Sequence, residues 1–105
     1  MGIVVVLENN YIINNVKLKL FKFGASWCGP CRILENRLDS FDVCELIKYD
    51  VDDDKIEDLL TKYKIRNIPV MILVDDNGNE IKRWIGLADV NSIKKEITEL
   101  KKEQP

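Results

Sequence analysis

The sequence predicts an α/β fold with a mixed central β-sheet and helices on both of its faces. Three observations carry this. β-branched or alternating apolar runs recur at Ile3–Leu7, Val16–Phe23, Leu46–Val51, Pro69–Val74 and Glu80–Ile85. Stretches with apolar residues three and four apart separate several of them. The last two strands are joined by Asp75-Asp76-Asn77-Gly78-Asn79, a hairpin turn signal, and one further helical stretch follows. Strands that alternate with helices early and close in a hairpin call for a mixed sheet covered twice.

Composition sets the bounds. The chain has 105 residues, 46% hydrophobic and 32% charged, which suits one domain (1–105) and excludes disorder and low-complexity architectures. Its net charge of -2 gives no electrostatic footprint for nucleic acid or an anionic membrane. There is no histidine, which removes imidazole acid–base catalysis and the commonest metal ligand. Three cysteines are too few for a disulfide scaffold. No apolar run approaches the roughly 20 residues of a membrane span, and the first residues lack the pattern of a secretory signal. A cytoplasmic, reducing setting is therefore expected, where a disulfide is more often catalytic than structural.

The elements follow in order. Ile3–Leu7 reads as a strand, and the asparagine-rich Glu8–Asn15 as a turn or a very short helix. Val16–Phe23 reads as the second strand. A loop from Gly24 leads into a helix from about Gly29 to about Ser40, with Leu34, Leu38 and Phe41 on one face. Leu46–Val51 is a strand. Asp52-Asp53-Asp54 supplies an N-cap and first-turn negative charge for a helix from about Lys55 to Tyr63, whose inner face is Ile56, Leu59, Leu60 and Tyr63. Pro69–Val74 and Glu80–Ile85 form the hairpin, and Gly86 ends the returning strand. A last helix runs from about Val90 to Lys102 with Val90, Ile93, Ile97 and Leu100 as its stripe.

Chemistry concentrates at Trp27-Cys28-Gly29-Pro30-Cys31, where a strand gives way to a helix. Two cysteines separated by two residues can close a disulfide around a helix's first turn. Cys28 lies where unpaired backbone N–H groups and the helix dipole favour a thiolate; Cys31, one turn in, is expected to be more buried. That asymmetry suits Cys28 as nucleophile and Cys31 as the thiol that resolves the mixed disulfide. Pro30 lacks an N–H and has its φ preset, which suits a first turn. Zinc wants four ligands, and one CxxC with a distant Cys44 and no histidine does not supply them. A structural disulfide across so short a loop gains little chain entropy. Cys44 itself reads as a small buried hydrophobe, with a regulatory or dimerising thiol as the alternative.

These residues resemble the thioredoxin family. WCGPC is that family's active-site sequence, and Tyr63-Lys64-Ile65-Arg66-Asn67-Ile68-Pro69, the Asn77-Gly78 turn and Gly86 match it elsewhere, over about Lys19 to Leu100. The resemblance implies a thioredoxin-like fold of four to five strands, with its first helix reduced or absent because only Glu8–Asn15 is left for it. An N-terminal hairpin is the alternative there. It implies a cis bond at Ile68–Pro69, with Pro69 facing the sulfurs and the Ile68 backbone pairing with an extended substrate. Trp27, Gly29, Pro30, Ile85 and Gly86 would complete the docking surface. It further implies a protein-disulfide reductase that needs no metal or organic cofactor. Its partners would be protein disulfides and a thioredoxin reductase or equivalent donor, and it would be a monomer. A weak oxidant or isomerase, and a non-catalytic binding subunit of a larger assembly, are the competing readings.

The departures are as informative. Six residues before Cys28, most family members carry a buried Asp; this chain has Lys22, and Lys48 matches the lysine that usually partners that Asp. A buried ammonium must be neutralised, paired or snorkelled. The candidate partners are Glu35, Asp50 and Asp52, among which the sequence does not choose. Kept charged near the thiols, Lys22 is expected to lower the Cys28 pKa and raise the reduction potential; neutral, it would itself accept the Cys31 proton; reaching solvent, it would do neither. The helix after the cysteines has Asn36 in place of the family's proline, so a straighter helix is expected.

Overall fold

The structure, a computed structural model, describes residues 17–103. The expected strand Ile3–Leu7, the turn or short helix Glu8–Asn15, and the choice between a reduced first helix and an N-terminal hairpin lie outside these residues. Within them the chain forms β1 (Lys19–Gly24), α1 (Gly29–Arg37), β2 (Glu45–Asp50), a 3₁₀ turn (Asp54–Ile56) running into α2 (Glu57–Lys62), β3 (Val70–Val74), β4 (Glu80–Ile85) and α3 (Val90–Glu103). The four strands make a mixed sheet in the order β2-β1-β3-β4. β1 and β2 run parallel, while β3 is antiparallel to both β1 and β4.

Alternation along the strands sends side chains to two cores. Leu20 of β1, with Met71 and Leu73 of β3, packs against Leu34 of α1 and Val90, Ile93 and Ile97 of α3. Phe21 and Phe23 point the other way, to Val70, Ile72, Val74 and Tyr63, with Leu59 and Leu60 of α2 packed alongside. Helices thus cover both faces, as the sequence predicts. β1 and β3 are buried on both faces, which explains why their sequences run nearly continuously apolar instead of alternating.

Two helices differ from their sequence expectation. α1 ends at Arg37, not near Ser40: the Leu38 amide donates to both Leu34 and Glu35 carbonyls, and Asp39 closes a turn on Asn36. Phe41 therefore reaches the core from the following loop. The segment expected as one helix from about Lys55 begins instead as a 3₁₀ turn capped by the Asp53 side chain on the Lys55 amide, and becomes α-helical only at Glu57. Its expected inner face holds, with Tyr63 buried and Ile56, Leu59 and Leu60 half-buried. At the hairpin, the Tyr63 hydroxyl donates to the Gly78 carbonyl at 2.6 Å, and Gly78 takes a φ of 80°, which its lack of a Cβ permits.

Leu20 is fully enclosed between the sheet, α1 and α3. Leu20→Ala is expected to cost about 2–5 kcal/mol in urea unfolding, the range for a large-to-small change in a sealed core. Ile81→Ala, on an exposed position of β4, is expected to stay within about 0.5 kcal/mol.

Candidate active site

The site is built where β1 runs out at Gly24 and the chain turns into α1. Cys28 is the N-cap of α1, in an extended conformation, and its Sγ accepts the Cys31 backbone N–H at 3.2 Å. A cysteine here does what Ser or Asp does at other helix starts: it satisfies one of the orphan first-turn amides. Pro30 occupies the first turn, where its missing N–H costs nothing. Cys28 and Cys31 are joined as a disulfide with Cα atoms 5.2 Å apart. Both are buried, Cys28 at 7% and Cys31 at 2% exposure, so the expected asymmetry is small in the oxidised state. Ala25 packs with them, and Val51 and Ile68 lie against the group.

The Ile68–Pro69 bond is cis, and Pro69 is buried. The Gly86 amide donates to the Pro69 carbonyl at 2.8 Å, tying the end of β4 to this junction. Trp27, next to Cys28, is 66% exposed, and Ile85, paired with Val70 next to the cis junction, is 63% exposed, large apolar groups left in water. The Trp27 indole N–H donates to Asp52 at 2.7 Å, a contact between the cysteine loop and the segment after β2 that the sequence does not announce.

Behind Cys31 lies the charged part of the site. Lys22 is 5% exposed, the one buried charged residue among the described residues. Its Nζ donates to Glu35 Oε1 at 2.9 Å, and Lys48 Nζ donates to Oε2 of the same carboxylate at 3.0 Å. Of the three candidate acids, Glu35 is thus the partner; Asp52 holds Trp27, and Asp50 accepts the Asp52 amide. The reason is geometric. The parallel register sets Lys22 beside Lys48, on the face that looks at α1. Glu35 lies four residues after Cys31, on the same side of that helix. Like charges side by side on a sheet repel, and the carboxylate between them removes that cost. Hydrogen bonds from Lys22 and then Lys48 hold the Glu35 carboxyl below its ordinary value of 4.5, against a smaller opposing effect of burial.

Gly24 closes the arrangement. A Cβ there would lie 3.2 Å from both Cys31 Sγ and Lys22 Nζ. Those two atoms are therefore separated by no more than twice that distance. A cavity of about 540 Å³ opens beside them, lined in part by Cys31, Lys22, Glu35 and Lys48. Cys44 stands apart, half-buried against the α1–α3 core, with its thiol pushed up to about 11 chiefly by burial. At neutral pH it is a protonated, packed thiol.

A CxxC disulfide wrapped on the first turn of a helix, at the end of a parallel strand and beside a cis-proline, is the arrangement of a dithiol–disulfide exchange protein. Residues 4–99 match the family model for thioredoxin. Thioredoxin H2 of Arabidopsis thaliana is 34% identical over 99 residues, covering 90% of this chain and 71% of that protein. Thioredoxin-T of Drosophila melanogaster is 29% identical, covering 76% of this chain and 52% of its own length, so the chain spans only about half of that relative. Among solved structures, a mutant thioredoxin from Halobacterium salinarum superposes with a TM-score of 0.69 at 28% identity, covering 85% of this chain and 79% of that one. The chain belongs to the thioredoxin family and is a thioredoxin-type thiol–disulfide oxidoreductase with a CxxC redox pair.

The Glu35 shift carries a pH dependence. A carboxyl lowered in the folded state adds stability that is fully present above its unfolded value, 4.5, and is lost as pH falls through the lower folded value. Glu35→Gln is expected to lower the urea midpoint at pH 7 and to differ less from the parent at pH 3. A difference that is equal at both pH values would contradict the ion-pair account.

Proposed function

We propose that this chain reduces disulfides in protein substrates, with Cys28 as the attacking thiolate and Cys31 as the resolving thiol. The observation that carries the reading is the cap at Cys28, whose sulfur already accepts the Cys31 amide at the start of α1. After reduction, the same N–H and the free first-turn amides stabilise negative charge on that sulfur. The Cys28 thiolate attacks a substrate disulfide, one substrate sulfur leaves as thiolate, and a mixed disulfide forms. Cys31 then attacks Cys28 Sγ; the Cys28–Cys31 bond closes and the second substrate sulfur is released. Two electrons pass from the dithiol to the substrate, and a reductase of the thioredoxin reductase type restores the dithiol.

Docking rests on the exposed rim. Trp27 next to Cys28 and Ile85 next to the Pro69–Val70 junction would supply apolar contact, and Gly86 adds no side chain there. Ile68, packed against the cysteine cluster, offers its backbone to an extended substrate strand at the junction with Pro69. Gly29 has open space around it, so nothing there obstructs an approaching disulfide. A reducing compartment of the cytosolic kind suits this direction.

The test is reduction of insulin disulfides with dithiothreitol as donor. The parent chain is expected to speed precipitation of the insulin B chain well beyond dithiothreitol alone, and Cys28→Ser to abolish the gain. Cys31→Ser is expected to trap a mixed disulfide visible on a non-reducing gel. A parent chain no faster than dithiothreitol alone would sink the reductase reading. A cellular function that survives the Cys28→Ser/Cys31→Ser pair would favour a binding subunit instead.

A further inference from the structure

We propose that Lys22, clamped by Glu35, is a positioning residue that stabilises the Cys31 thiolate and thereby sets the pH dependence of the resolving step; this rests on the dithiol reading above. Cys31 is 2% exposed, and burial opposes ionisation of a thiol. The resolving attack nevertheless needs the thiolate. A carboxylate acceptor is the obvious help, but the Glu35 carboxylate is committed to two ammonium groups at 2.9 and 3.0 Å.

The groups that face this sulfur come from three elements. β1 brings Lys22. α1 brings Glu35 and Arg32, whose guanidinium donates to the Ser26 carbonyl at 2.9 Å. β2 brings Lys48 and Asp50 along the rim of the cavity, while the ring of Tyr49 stacks on Phe23 on the other face of the sheet. Lys22 is the buried one, and its Nζ shares with Cys31 Sγ the space a Cβ on Gly24 would fill. A cation that close, shielded from water, favours the charged thiol strongly. Glu35 fixes the ammonium in place and offsets part of its field. The Cys31 proton leaves to water in the adjoining cavity. The thiolate then attacks Cys28 Sγ, the Cys28–Cys31 bond forms, and the Cys28–substrate bond breaks. The departing substrate thiolate takes its proton from solvent, so protons and electrons balance.

The experiment titrates Cys31 directly. In the reduced Cys28→Ser chain, thiolate absorbance at 240 nm is followed against pH, with Cys44→Ser added to leave one thiol. Lys22→Met is expected to raise the Cys31 midpoint by about one pH unit or more. Lys22→Arg, which keeps the charge, is expected to restore most of that shift. Glu35→Gln, at a half-exposed side chain, is expected to move the midpoint down, because the lysine field is no longer offset. The opposed signs separate an electrostatic role from loosened packing, and Glu35→Gln carries the test if Lys22→Met does not fold. A midpoint unmoved by Lys22→Met, or one that rises in Glu35→Gln, would overturn the proposal. Neither reading depends on insulin reduction, so failure of the reductase assay is a separate result.

Discussion

The structure depends on one local constraint: α1 must begin at Cys28, on top of the end of β1. The cap bond from the Cys31 amide to Cys28 Sγ sets the first turn and holds the two sulfurs on one side of it. Pro30 lets the helix start without wasting a donor. Gly24 allows the strand end to approach, because any side chain there would press on Cys31 and Lys22 together. The cis Ile68–Pro69 junction and the Gly86 amide complete the other wall. Chemistry, docking and charge then follow from where α1 starts.

The charged layer behind the disulfide is a consequence of sheet register. β1 and β2 run parallel with Lys22 opposite Lys48, and α1 crosses above them carrying Glu35. An ion pair with one buried partner is weak evidence for stability, since desolvation offsets much of the attraction. Its placement against the resolving sulfur gives it a use that stability does not. With two lysines on one carboxylate, the local charge at the thiols is positive, although the chain as a whole carries -2.

Much of this was legible in the residues. WCGPC located the site, Ile68-Pro69 located the opposing wall, and the hairpin and last helix follow from Asn77-Gly78 and from Val90, Ile93 and Ile97. What stayed hidden depends on pairing across the fold. Glu35 stands among three candidate acids, and what singles it out is α1 crossing over the parallel pair that sets Lys22 beside Lys48. The Trp27–Asp52 bond joins residues 25 apart in a loop-to-loop contact with no sequence signature. The Asp52–Asp54 run did mark a helix start, but the 3₁₀ geometry of that start was set by the Asp53 cap and the turn on Asp50. The early end of α1 was equally silent, since Leu38 keeps the helical spacing while its amide already closes a turn.

The function rests on Cys28 and Cys31 forming a reversible, reducing couple. A redox titration of the whole chain in thiol–disulfide buffers, followed by the fluorescence of Trp27, reads that couple. One reversible two-electron transition is expected near or moderately above the value typical of thioredoxins, about -270 mV, with the positive charge behind Cys31 pulling it upward. A potential near the about -120 mV of a strong oxidant, or no reversible transition at all, would contradict it.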